Sequence, residues 1–244
     1  IVGQKPLQER EPIEFAAIII GGSLLCFNAG FINAVTLMSS GLTSSHVTGL
    51  ITKSSIFMEE SHVGDSFLAL VQLLMFIIGS TISGIFIPYS SFHLGRAYNI
   101  IFLLGTACLL LSLLLHVGQP DSTLYVYVAT MACGMQNAMT TKYSNNILRT
   151  THMTGAATDI GIVIGRIIVG RTDEIWRLYV LGPMMFSYFI GGVGGAGAAK
   201  QYGGTAIAFN LMIFAGTGLL YALHMSRARH ITLLKAIFLR ADVR

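Results

Sequence analysis

Apolar residues in this chain come in long unbroken runs, not at the intervals of an amphipathic surface helix. Six stretches, roughly 13–38, 66–87, 98–117, 123–140, 178–199 and 203–225, contain no Asp, Glu, Lys or Arg apart from Glu14 at the first edge. A bilayer is crossed by about 20 apolar residues in helical form. Backbone in lipid must satisfy its own hydrogen bonds, which selects helix. The pattern predicts an all-α integral membrane protein with six transmembrane helices. The connections 39–64 and 141–177 are long for a compact bundle. Thr48, Thr52, Ser55 and Glu59 recur at helical spacing in the first, and Met153 to Gly170 is mostly apolar in the second. Each connection is therefore predicted to hold an extra motif helix, with Ser44/Ser45 and Thr150/Thr151 placed to cap its start.

Composition supports the membrane reading. Hydrophobic residues make up 53% of the chain and charged residues only 11%, against about 25% charged in a soluble domain. The net charge of +4 could point to nucleic acid, but the basic residues are sorted by side. Lys5, Arg10, Arg96, Lys142, Arg149, Arg166, Arg171, Arg177, Arg227, Arg229, Lys235, Arg240 and Arg244 fall on one side of the six spans. Lys53 and Lys200 fall on the other. That asymmetry is a positive-inside signal. It predicts both termini on the cytoplasmic or equivalent inner side and leaves open whether the membrane is a plasma, inner or organelle membrane. Nucleic acid is not expected as a partner. The tail from 226 to 244 has the composition of a basic amphipathic helix lying on headgroups. Cys26, Cys108 and Cys133 sit in apolar runs without metal-ligand spacing, so neither a disulfide framework nor a metal site is predicted. The chain begins at Ile1, which leaves open an initiator methionine or a targeting segment ahead of it.

The two halves repeat one another. Gly30-Phe31-Ile32-Asn33-Ala34 matches Gly134-Met135-Gln136-Asn137-Ala138 at an offset of 104, and Ser45-His46-Val47-Thr48-Gly49 matches Thr151-His152-Met153-Thr154-Gly155 at 106. Asn99 to Thr106 matches Asn210 to Thr217 at 111. Three matches in one order imply a duplicated three-span unit, 13–117 and 123–225, within a single membrane domain 1–244. An odd number of spans turns the second unit upside down. Inverted repeats of this kind build transporters whose solute sites lie near the midplane.

The same motifs carry a family resemblance. GFINA followed by SSHVTG, and CGMQNA followed by THMTGAATDIG, resemble the YoaK-like family of transmembrane proteins, often described as permeases. The resemblance covers nearly the whole chain and implies the fold more firmly than an activity. Asn33 stands where that family commonly has Asp, and Leu50 where Asn commonly follows the TG.

Candidate chemistry gathers on the two repeated segments. If both dip into the membrane, their N-terminal ends present backbone N–H groups to a solute; the alternative is a pair of interfacial helices. The candidate central site comprises Asn33, His46, Thr48, Thr52, Lys53, Asn137, His152, Thr154, Thr158 and Asp159, with Lys53 and Asp159 as its charged members. For Asn33, Gln136 and Asn137 the alternative is interhelical hydrogen bonding. Gly79, Gly84, Gly191 and Gly195 are candidate helix-packing positions, as are Gly161 and Gly165. The G-x-G-x-x-G within 190–197 follows no strand and does not indicate a dinucleotide. No HExxH, G-x-S-x-G or P-loop occurs, so an enzyme is not expected; the cofactor, if any, is left unknown. The leading function is a transporter-like or channel-like protein for a small solute. The alternative is a non-transporting subunit of a larger membrane complex. Expected partners are the lipid bilayer together with further copies of the chain or such a complex.

Overall fold

The computed structural model describes residues 11–87, 95–144 and 146–228, with positions 232 and 235. Lys5, Arg10, Arg229, Arg240 and Arg244, and most of the amphipathic tail 226–244, lie outside the described residues. The elements run α1 (Pro12–Ser40), α2 (Val47–Glu59), α3 (Val63–Phe86), α4 (Arg96–Gly118), α5 (Leu124–Tyr143), α6 (Met153–Ile168), α7 (Trp176–Tyr202), a 3-10 turn (Gly203–Ala206) and α8 (Ile207–Ala228). The extra helices expected in the long connections are α2 and α6.

Among the described residues four helical stretches are long and apolar enough to cross a membrane: Pro12–Ser40, Val63–Phe86, Ala97–Gly118 and Trp176–Arg227. The chain is a multi-pass helical membrane protein. The last stretch has 52 residues, far more than one crossing needs. Gly203, at φ +57°, breaks it into α7 and α8. A positive φ suits a residue without Cβ. The span expected at 123–140 is not among the four. Its helix, α5, carries Gln136, Asn137, Thr140, Thr141 and Lys142, and this polarity lowers its apolar character below that of its neighbours.

Hydrogen bonds set the directions of the helices. Ser39 Oγ meets Tyr125 Oη at 2.8 Å, while Gln136 Nε2 donates to the Leu25 carbonyl at 2.8 Å. The start of α5 thus meets the end of α1, and the two are antiparallel. Gly22 lies against Met184, Phe27 against Gly191 and Phe31 against Gly195, so α1 and α7 run parallel. α3 and α5 do the same, with Gln72 Nε2 on Thr130 Oγ1 at 3.2 Å and Ser83 Oγ donating to the Met135 carbonyl at 2.8 Å.

Those two parallel seams are near copies. A Cβ on Gly30 would meet the Tyr188 carbonyl, and one on Gly134 the Phe76 carbonyl; Gly79 sits on the Met131 carbonyl and Gly191 on the Phe27 carbonyl. Phe27 and Met131, like Gly30 and Gly134, are 104 residues apart. Gly79 and Gly191, like Phe76 and Tyr188, are 112 apart. The glycines let backbones touch, the means by which helices associate where lipid removes any hydrophobic drive. Gly195 joins the seam against Phe31. Gly84, Gly161 and Gly165 have nothing within 4 Å of a Cβ position, so small-residue spacing alone marks no contact there. Between the seams Asn28 Nδ2 donates to Gln136 Oε1 at 3.2 Å, and Asn210 Nδ2 to Asn28 Oδ1 at 2.8 Å. These buried amides of α1, α5 and α8 bond one another, with Asn210 Oδ1 left without a partner among the described residues.

Candidate functional site

Both α2 and α6 begin on loops tied back to the helices that precede them. α1 ends at Gly41, whose φ of +71° gives a left-handed cap with its N–H on the Leu37 carbonyl. The chain then folds back. Asn33, seven residues before the end of α1 and so about 10 Å from it, accepts the Ser45 N–H and hydroxyl on its Oδ1, both at 3.1 Å. From α3, Gln72 Nε2 donates to the Thr43 carbonyl at 2.8 Å. From α5, the Cys133 thiol reaches Ser44 Oγ at 3.6 Å. The second half repeats the device: Asn137 Oδ1 accepts the Thr151 N–H at 3.3 Å. Asn33 and Asn137 are thus brackets that hold the starts of α2 and α6 inside the bundle. From there α2 returns along α3, with Ser54 and Ser66 hydroxyls 2.9 Å apart. With 13 and 16 residues, the two rise about 20 and 24 Å, short of a crossing.

The H-x-T-G spacing follows from how each helix starts. His46 and His152 occupy the N-cap positions, and each imidazole lies against the glycine three residues on. A Cβ on Gly49 would stand 2.5 Å from His46 Nε2, and one on Gly155 would meet the His152 ring. Ser44, Ser45, Thr150 and Thr151 do not cap, because no side chain bonds the first turn of either helix. Ser45 is committed to Asn33 instead.

Both helix starts open onto one cavity of about 400 Å³. Ser45, His46 and Thr48 line it from one repeat, and Asn137, Thr151, His152 and Thr154 from the other. The remaining wall is Val47, Phe76, Ser80, Ala138, Thr141, Lys142, Arg149 and Met153. The cavity lies toward the end of the bundle where α5 finishes, since Thr141, Lys142 and Arg149 belong to that end.

The candidate residues divide accordingly. His46, Thr48, Asn137, His152 and Thr154 come together at the cavity, and Asn33 stands behind it. Thr52 and Thr158 do not line it; their hydroxyls donate to the Thr48 and Thr154 carbonyls at 3.0 Å. Lys53 does not line it either, and its Nζ is 3.4 Å from the Gly41 carbonyl. Asp159 lines a second hollow of about 230 Å³, which shares Arg149, His152 and Met153 with the first. No ion pair between Lys53 and Asp159 is present among the described residues. Their equivalent positions put them on helices with different neighbours, α2 against α3 and α6 against α7. The charged members of the cavity wall are Lys142 and Arg149 instead. Charge counting read both only as topology signals, although both flank repeated motifs.

The residues of this site lie within a recognised family. The family described as protein of unknown function (DUF1275) matches residues 21–221. The chain belongs to this family. The match runs from α1 into α8 and takes in every residue lining the cavity. It is compatible with the resemblance to an uncharacterised membrane family, without carrying the YoaK-like name. No curated protein and no solved structure matches the chain. In this family member the arrangement offers amides, hydroxyls, imidazoles and two cationic groups around a hollow.

Proposed function

We propose that this protein is transporter-like and moves a small polar solute through the cavity where α2 and α6 begin. The observation that carries the reading is that the two H-x-T-G ends, supplied by antiparallel halves, line one hollow. In this reading residues 1–244 form one membrane domain of six spans, as two inverted three-helix repeats, with α2 and α6 re-entrant. Support comes from the antiparallel α1 and α5, the matched glycine seams and the matched Asn33 and Asn137 brackets. α5 then crosses as the sixth span, its polar residues turned toward the cavity and the buried amides. The sorting of lysine and arginine supports both termini on the inner side, which is also the side of the cavity. Leu37 and Met38, the counterparts of Thr141 and Lys142 on α1, are not in the wall. A cavity set toward one end of the bundle fits one of the two states of an alternating-access cycle.

The test is thiol accessibility in sealed vesicles. Cys26 and Cys133 are buried, so Cys108→Ser gives a quiet background. Thr48→Cys and Thr154→Cys should each react with a membrane-impermeant maleimide added from either side. Reaction of both from one side only, at every temperature tried, rules out a carrier or channel and favours a non-transporting subunit.

A further inference from the structure

We infer that the cavity binds a small anion through its acidic group, a carboxylate or a phosphate; this deepens and rests on the transporter-like reading of the same site. Its wall contains the ammonium of Lys142 and the guanidinium of Arg149, with the imidazoles of His46 and His152, and among the described residues no carboxylate lines it. A guanidinium pairs with carboxylate or phosphate in a two-pronged geometry that a neutral solute does not match. Arg149 is exposed and its Nη1 lies 3.5 Å from His152 Nδ1, a loose contact that leaves the fork free to turn.

The backbone adds to the same sign. The first-turn N–H groups of a helix have no partner within the helix, and the helix dipole makes that end positive. Here two such ends face one hollow and no side chain caps either of them. The positive-inside rule accounts for basic residues at this end of the bundle. It does not place two helix starts opposite them. Asp159, whose charge would oppose an anion, stands in the neighbouring hollow. The volume of about 400 Å³ lies in the range of small-molecule pockets, about 300–1,000 Å³.

The experiment measures thermal melting of the full chain in a neutral detergent, with inorganic phosphate, citrate, benzoate, benzamide and benzylamine as probes. The last three share a shape and differ in charge. At least one anion should raise the melting temperature saturably, while benzamide and benzylamine do not. Arg149→Gln and Lys142→Gln should each weaken that anion about tenfold or more, as the loss of a charged hydrogen bond implies. Lys53→Gln, outside the cavity, should leave it unchanged. Binding of benzamide or benzylamine in preference to the anions overturns the anion assignment and leaves the transporter reading standing. No response to any probe, or an anion response that Arg149→Gln and Lys142→Gln both retain, overturns the assignment, while two-sided thiol labelling still decides the transporter reading. A shift caused by phosphatidylglycerol but by no soluble anion, and lost in Arg149→Gln, assigns the acidic group to a lipid headgroup and overturns the soluble-solute form.

Discussion

Alanine at Gly30 and at Gly134 should destabilise this protein, and by similar amounts. At Gly30 the added Cβ would lie 2.9 Å from the Tyr188 carbonyl carbon and 3.1 Å from the Gly192 nitrogen; at Gly134 it would lie 3.0 Å from the Phe76 carbonyl carbon and 3.2 Å from its Cα. Ordinary contacts begin near 3.4 Å, and the obstructing atoms are backbone, so no rotamer change relieves them. The carbonyl oxygens of Tyr188 and Phe76 stand closer still, so the helices must part by about 1 Å or more, and a gap of that size forfeits about half of each dispersion contact along the seam. Overpacking costs about 1–3 kcal/mol, with the seam loss placing these sites at the upper end. Alanine's better helix propensity returns up to about 1 kcal/mol. The net expectation is a loss of about 2 kcal/mol at each site. Gly197 has nothing within 4 Å, so Gly197→Ala should be neutral or stabilise by up to about 1 kcal/mol. Reversible unfolding in mixed micelles of rising SDS fraction reads all three. Wild-type stability in Gly30→Ala, or a loss in only one of the Gly30 and Gly134 variants, would refute the argument from matched seams.

Three further outcomes are expected. Gly49→Ala should destabilise the start of α2 by driving Cβ into the His46 ring, and adding His46→Ala should recover most of that loss, because the obstruction is a mobile side chain; a double-mutant cycle with no coupling refutes the contact. Asn33→Leu and Asn137→Leu should each cost about 1–3 kcal/mol by leaving a loop N–H unpaired, with hydrogen exchange rising at 43–48 and 149–154 respectively; unchanged exchange would mean the brackets do not hold the loops. A C-terminal tag should resist external protease in sealed cells, and its digestion would overturn the six-span arrangement with inward termini.

Much of the architecture is legible one residue at a time, because lipid imposes a local rule. A span must be apolar over its own length, so the runs at 13–38, 66–87 and 98–117 mark α1, α3 and α4 to within a few residues. The run at 123–140 likewise marks α5, although Gln136, Asn137, Thr140, Thr141 and Lys142 make that helix less apolar than its neighbours. The repeat, too, is visible as sequence, since a duplicated unit keeps its seam glycine and its loop bracket. What sequence could not supply is partner choice. Helix packing depends on which faces meet, and nothing in the spacing of Gly79 and Gly84 says that only Gly79 meets a neighbouring backbone. Nor does the order of the spans say that α1 pairs with α7, and α3 with α5, across the repeat. The fold-back of the two loops, which brings Thr48 and Thr154 to one cavity and leaves Lys53 and Asp159 away from it, rests largely on hydrogen bonds that Asn33 and Asn137 accept from residues 12 and 14 positions on. Such bonds exist only once the helices are assembled. Hydropathy and repetition are properties of the chain, whereas the cavity is a property of the distances between segments.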